Sequence, residues 1–329
     1  MVIFTAKDCN LQIKFLPAKG HSMNERTHAQ EIRATLLHLS FNMWSDQEAP
    51  ENWSIYFGGK PFMRFDDRVW EEVLQKMVQA GQNMVVIDLG DGVVYHSHPE
   101  IAVKNAWNVS RLQHELEKIR KLGLEPIPKL NFSTAHDFWL GPYAKMVSSE
   151  PYYAVCRDIL AEVIEIFEKP RFFHLGMDEE TFAHQKLYKY SVIRQYDLWW
   201  ADLYFLFEQV EKHGVRPWIW SDYYWHHPEI FLEKMPKSVM QSNWFYGNQF
   251  DPQNMEVRAY LDLDQHGFEQ IPAGSNWSHP ENFGQTVEFC RANLTPSRVK
   301  GFLQTTWFPT IAACQDRLFE AIDLAGKAK

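Results

Sequence analysis

Short apolar runs alternate with longer stretches of helical period through almost the whole chain. This is what parallel strands, buried on both faces and covered by helices, require. Eight runs read as strands, over 34–44, 83–88, 124–131, 172–178, 215–221, 238–244, 270–276 and 301–307. Eight such units in 329 residues fit an α/β fold of the (β/α)8 TIM barrel type. The expectation is one barrel domain over 1–329, with an extra N-terminal segment at 1–32 and an inserted stretch at 45–61. A doubly wound open sheet is the alternative, but it calls for a Gly-rich phosphate loop after the first strand. The residues there are Ser40-Phe-Asn-Met-Trp-Ser-Asp-Gln47.

The intervening segments carry helical stripes, for example Val192, Tyr196, Trp199, Leu203, Phe207 and Val210, a face that should pack on the barrel wall. Ser110 and Gln113 have capping-box spacing at the start of the second helix. Gly123, Gly214 and Gly267 each stand where a helix should stop.

A net charge of -9 without a long Lys/Arg run argues against nucleic acid and against an anionic membrane surface as partners. Cys9, Cys156, Cys290 and Cys314 lie far apart, with no metal-binding spacing and no disulfide framework. The start, MVIFTAKDCNLQIKFL, has neither a secretion-signal pattern nor a membrane-spanning run, which makes the cytoplasm the default expectation. The oligomeric state is left open.

In a (β/α)8 barrel the chemistry sits at the carboxyl ends of the strands. Those ends hold Asn42 and Trp44, Asp88 and Asp91, Asn131 with His136, Asp178 and Glu179, Trp220 and Asp222, Trp244 and Tyr246, Asn276 and Trp277, and Trp307. Carboxylates, amides, imidazole and indole in one ring suit a sugar. Its hydroxyls need polar partners, and its apolar face stacks on flat rings. Asp178 and Glu179 are the expected catalytic pair. Asp88, Asn131, His136, Trp220, Asp222, Trp244, Tyr246, Trp277 and Trp307 are the expected substrate contacts, and the aromatic run 218–225 is expected in the cleft wall. No cofactor or metal is called for. Because side chains alternate along a strand, Glu179 can join Asp178 in one cleft only if the strand breaks between them.

Phe173-His-Leu-Gly-Met-Asp-Glu-Glu180 resembles the His-x-Gly-Gly-Asp-Glu signature of glycoside hydrolase family 20, the β-N-acetylhexosaminidases, with His174, Gly176, Asp178 and Glu179 in register. Weaker likeness runs from the third strand to the eighth, through Pro128 to Asn131 with His136, Trp220 and Trp307. The resemblance implies substrate-assisted retaining hydrolysis, in which the 2-acetamido oxygen of the sugar replaces an enzyme nucleophile. Glu179 would protonate the leaving oxygen, and Asp178 would orient the acetamide N–H and stabilise the developing positive charge. His136 and His174 would support the acids, although His174 also reads as a core histidine. Departures from the family pattern are Met177 for the second glycine and Asn131 for an acid. A seventh-strand Tyr, a Glu after Trp307 and a first-strand Arg are also missing, with Trp277 and Tyr246 as candidates to substitute for the Tyr.

Two other classes stay open. One is a divalent-metal sugar isomerase or hydrolase barrel using Asp88, His96, His98, His136, Asp178, Glu179 and Asp222. The other is a non-catalytic carbohydrate-binding barrel.

Overall fold

The computed structural model describes residues 30–48 and 55–328. Eight barrel strands follow in chain order: β1 Ile32–His38, β2 Met84–Asp88, β3 Glu125–Lys129, β4 Phe172–His174, β5 Arg216–Trp220, β6 Met240–Ser242, β7 Ala273–Ser275 and β8 Gly301–Thr305. Each pairs in parallel with its sequence neighbour, and β1 pairs with β8 through Ile32 opposite Gly301. Parallel bridges from Gln241 to Gln270 and from Trp244 to Ala273 join β6 to β7. The sheet therefore closes as a (β/α)8 barrel, and every expected strand is present.

Strand alternation sorts the core into two layers. Ala34, Leu36, Met84, Val86, Ile127, Trp218, Met240 and Leu303 fill the barrel interior. Leu37, Val85, Ile87, Phe173 and Ile219 point outward. They pack under helices that include α1 Asp67–Gln79, α2 Val109–Lys121, α3 Glu150–Ile166 and α4 Asp197–Glu211. None of the described helices is long and apolar enough to cross a membrane.

Several local expectations change. The first strand ends at His38, and the chain to Trp44 is a loop over the barrel mouth. The cap of α2 is Asn108, whose side chain accepts from the Arg111 N–H, rather than Ser110. The stripe on α4 begins with Trp199, because Val192 and Tyr196 precede the helix. Gly123, Gly214 and Gly267 do close helices, with φ of 82°, 75° and 84°. Most of the N-terminal segment lies outside the described residues, and β1 takes up its last residue, Ile32.

Candidate active site

The uppermost interior layer of the barrel is polar. Asp88, at the end of β2, forms a buried ion pair with Lys129 of β3 and lies 3.6 Å from His38 Nδ1. His174, at the end of β4, packs 4.5 Å from the ring of Trp220. Burial, reinforced by the Lys129 charge, pushes the His174 imidazole well below its usual range, so it is neutral. Its Nδ1 accepts the Gly176 N–H at 3.1 Å. Asp88 and Trp220 therefore belong to the floor of the barrel mouth and do not line the cavity above it, which corrects their expected place as sugar contacts. Alternation explains the shift, since the last inward side chain of each strand is already spent on closing the barrel.

Above this floor the backbone leaves the strand path. Gly176, Met177 and Glu179 have φ of 70°, 78° and 58°, a left-handed course that is costly for residues with a Cβ. At Gly176 a Cβ would stand 2.1 Å from Asn131 Oδ1, so only glycine fits. Met177, which replaces the signature's second glycine, keeps a glycine-like conformation. Its N–H donates to Asn131 Oδ1 at 3.1 Å. The turn that follows is held from all sides. Asn131 Nδ2 donates to Asp178 Oδ1 at 2.8 Å, the Glu179 N–H to Asp222 Oδ2 at 2.8 Å, and Arg194 Nη2 to Glu180 Oε2 at 2.6 Å. The broken strand brings Asp178 and Glu179 to one cavity.

That cavity has a volume of about 500 Å3. Its wall is formed by Trp44, Phe57, His136, Asp178, Glu179, His184, Leu187, Trp244, Tyr246, Trp277, Ser278 and Trp307. Trp44 meets Trp307 edge to face at 5.5 Å, and Trp244 stacks on Tyr246 at 4.9 Å. Trp307 Nε1 donates to Tyr246 Oη at 3.0 Å, and that hydroxyl also bonds Thr305 Oγ1 at 3.1 Å.

The polar side of the cavity is organised by His136. Its Nε2 lies 3.4 Å from Asp178 Oδ2 and 3.2 Å from Glu179 Oε2. Burial opposes a charge on the ring, but Asp178 and Glu179 outweigh it and push the imidazole up to about 10. Burial likewise works against Asp178, yet the His136 charge, Lys129 and the Asn131 amide hold its carboxyl below the ordinary range. Asp178 is thus a dry, ionised carboxylate, worth far more to a developing positive charge than one in water. One ligand atom each from His136, Asp178 and Glu179 lie within 4.8 Å of one another, a spacing that can also hold a cation.

Of the expected contacts, His136, Trp244, Tyr246, Trp277 and Trp307 line the cavity with the two acids, and Asp88, Asn131, Trp220 and Asp222 do not. Asn131 and Asp222 sit behind the acids and bond to them or to their backbone. The aromatic run 218–225 is likewise not in the wall. Trp218 and Trp220 fill the barrel, and Trp225 backs Trp244 at 4.4 Å. Of the expected metal ligands, His98 pairs with Glu100 and Asp158, and the His96 N–H with Glu162, away from the acids. Phe57, His184, Leu187 and Ser278 were not anticipated. Phe57, Leu187 and Ser278 lie on loops and His184 on the short helical turn Ala183–Gln185, none with a motif, and only Trp44, at an expected strand end, carried a signal.

No protein-family model and no curated protein matches the chain. Solved structures do. The exo-β-N-acetylglucosaminidase of glycoside hydrolase family 20 from Vibrio harveyi, solved with N-acetylglucosamine, superposes with a TM-score of 0.60 at 10% identity. It covers 90% of this chain and 54% of its own. Chitobiase from Flavobacterium johnsoniae gives 0.64 at 14% identity, over 90% of this chain and 48% of that one. The chain thus spans about half the length of these two enzymes. Dispersin B gives 0.57 at 14%, over 90% of this chain and 99% of its own. At such identities the likeness is one of fold, and at that level the resemblance read from His174 to Glu179 holds: this chain has the (β/α)8 barrel of the family 20 β-N-acetylhexosaminidase structures.

Proposed function

We propose that the chain is a retaining glycoside hydrolase acting on a 2-acetamido sugar, with Glu179 as general acid and base and Asp178 as electrostatic partner of the substrate. The observation that carries this reading is the convergence of a dry, ionised Asp178 and a more exposed Glu179 on one aromatic cavity.

In the first step the acetamido oxygen attacks C1 as the bond from C1 to the leaving oxygen breaks. Glu179 gives its proton to that oxygen, and Asp178 accepts the acetamide N–H and balances the positive charge on the ring formed. In the second step water attacks C1, gives a proton to Glu179 and restores the acetamide. The aromatic wall supplies flat faces for the sugar. Tyr246 is kept protonated by burial and the nearby carboxylates, and takes the place of the missing seventh-strand Tyr. The structural neighbours include an enzyme solved with N-acetylglucosamine, which supports this substrate class.

The test is a panel of aryl and alkyl glycosides, acetylated at the 2-amino position and not. Glu179→Gln is expected to lower kcat/KM on alkyl glycosides by ~100-fold or more while largely sparing an activated aryl leaving group, which needs less protonation. Turnover of unacetylated sugars would remove the role given to Asp178, and equal rates for wild type and variant would remove that of Glu179. A divalent ion on His136, Asp178 and Glu179 is a second reading. It requires a neutral imidazole beside two acids that favour its protonated form, and a stoichiometric bound metal in the purified protein would favour it.

A further inference from the structure

We infer that Asp222 is a positioning residue that holds Glu179 in its working orientation by accepting the backbone N–H of that residue. The kinetic consequence rests on the glycosidase reading above, whereas the geometric one stands without it.

Glu179 occupies the left-handed region at φ 58°, where a residue with a Cβ persists only when its surroundings over-determine it. Its peptide is pinned at both ends. The N–H donates to Asp222 Oδ2 at 2.8 Å, and the C=O accepts the Thr181 N–H at 2.6 Å. Rotation about this residue would swing the carboxylate away from His136, 3.2 Å from it, and out of the cavity.

Asp222 is well placed for this and for little else. It stands at the N-cap of the four-residue helix Tyr223–His226, yet its side chain makes no bond to that helix, although capping is the commonest use of an Asp at such a position. The carboxyl reaches across to the acid turn instead. It is absent from the wall of the sugar-sized cavity and lines a separate recess of about 310 Å3 on the other face of the turn. Its Oδ1 is buried with no hydrogen-bond partner among the described residues. Burial, and then the charge of Asp178, push this carboxyl well above the ordinary range. The group is thus an uncharged acceptor, and it adds no negative charge behind the acid turn.

The test compares Asp222→Ala with Asp222→Asn, which retains a neutral oxygen acceptor. Asp222→Leu replaces the alanine variant should that one fail to fold. With the alanine variant, kcat on an alkyl 2-acetamido glycoside is expected to fall ~100-fold with KM within ~2-fold, while an activated aryl glycoside loses less than ~10-fold, the pattern of a misplaced acid. The asparagine variant should stay within ~3-fold of wild type on both. Equal losses on the two substrates, or an asparagine variant as impaired as the alanine one, overturn the assignment. A crystal structure of Asp222→Ala gives the same answer without turnover. Glu179 is expected to leave the left-handed region, and a φ still near 58° with the carboxylate still on His136 overturns the proposal. If wild type cleaves no glycoside, the glycosidase reading fails, and the crystal comparison alone decides the role of Asp222.

Discussion

Asn131 donates through Nδ2 to Oδ1 of Asp178 at 2.8 Å, while its own Oδ1 accepts the N–H groups of Met177 and Ser133, each at 3.1 Å. The two backbone donors fix which way the amide points, so the group facing Asp178 is necessarily a donor. Family 20 resemblance puts an acid at this position, and the geometry argues against one here. Asn131→Asp keeps both backbone bonds and turns a second carboxylate oxygen toward Asp178. Asp178 then gains proton affinity and stabilises positive charge less well. The expected outcome is a fall in kcat of roughly 10- to 100-fold and a loss of about 1–3 kcal/mol of stability from the lost donor. Rates on a 2-acetamido glycoside and urea melts check it, and undiminished kcat would show that the amide is not needed.

The adjoining pair Gly176 and Met177 separates two effects of a left-handed backbone. Gly176→Ala meets both the strained φ of 70° and a Cβ 2.1 Å from Asn131 Oδ1, so the Asn131 amide must move off Asp178. Activity should fall with the fold's stability. At Met177, φ is 78° and the side chain is buried. Met177→Gly relieves strain of order 1 kcal/mol but forfeits the burial of a Met side chain, about 2–5 kcal/mol in truncation series. Packing wins, and the variant should be less stable by roughly 1–4 kcal/mol. A raised melting temperature for Met177→Gly would show that strain, not packing, dominates the turn.

Asp91 ties the loop after β1 to the end of β2. It accepts hydrogen bonds from Ser40 Oγ and, at 3.1 Å, from Asn42 Nδ2. Burial, only partly offset by those bonds and by Arg64, pushes its carboxyl up to about 7 from an ordinary 3.8. An acid whose folded value lies above its unfolded one binds more protons when folded, so its contribution to stability is largest at low pH. That contribution declines as pH rises from about 4 through 7 and is flat beyond. Wild type should therefore lose stability relative to Asp91→Asn between pH 5 and 8, by an amount of order 1–3 kcal/mol. Chemical denaturation of both proteins across that range measures the difference, and a constant gap would show that Asp91 does not titrate there. Because the same loop carries Trp44 to the cavity wall, KM should follow the change.

The residues that fill the barrel announce themselves because burial and alternation are local properties of the chain. Leu36, Val86, Ile127 and Leu303 are apolar wherever the strand is buried, and the period of two assigns each to a layer. The acid pair was equally legible, since His174, Gly176, Asp178 and Glu179 fall within six residues of the chain, at and just beyond the end of β4. Asp88 and Trp220 were misplaced by one layer. A strand end read from sequence does not say whether its last inward side chain closes the barrel or faces the space above it. Phe57, His184 and Ser278 had no signal, because residues of loops and single helical turns reach a cavity through the path of the chain rather than through any periodic pattern.

By itself, then, the sequence determined the alternating strands and helices, the resulting (β/α)8 barrel, and the element on which two neighbouring carboxylates stand. Tertiary structure alone decided that both carboxylates face one cavity. The left-handed turn at Gly176, Met177 and Glu179 is not favourable locally and exists because Asn131, Asp222 and Arg194, from three other parts of the chain, bond to it. It also decided the difference between Asp178 and Asp222. Two buried aspartates are driven apart in proton affinity because His136, Lys129 and the Asn131 amide hold Asp178 ionised, whereas burial and the charge of Asp178 itself raise Asp222.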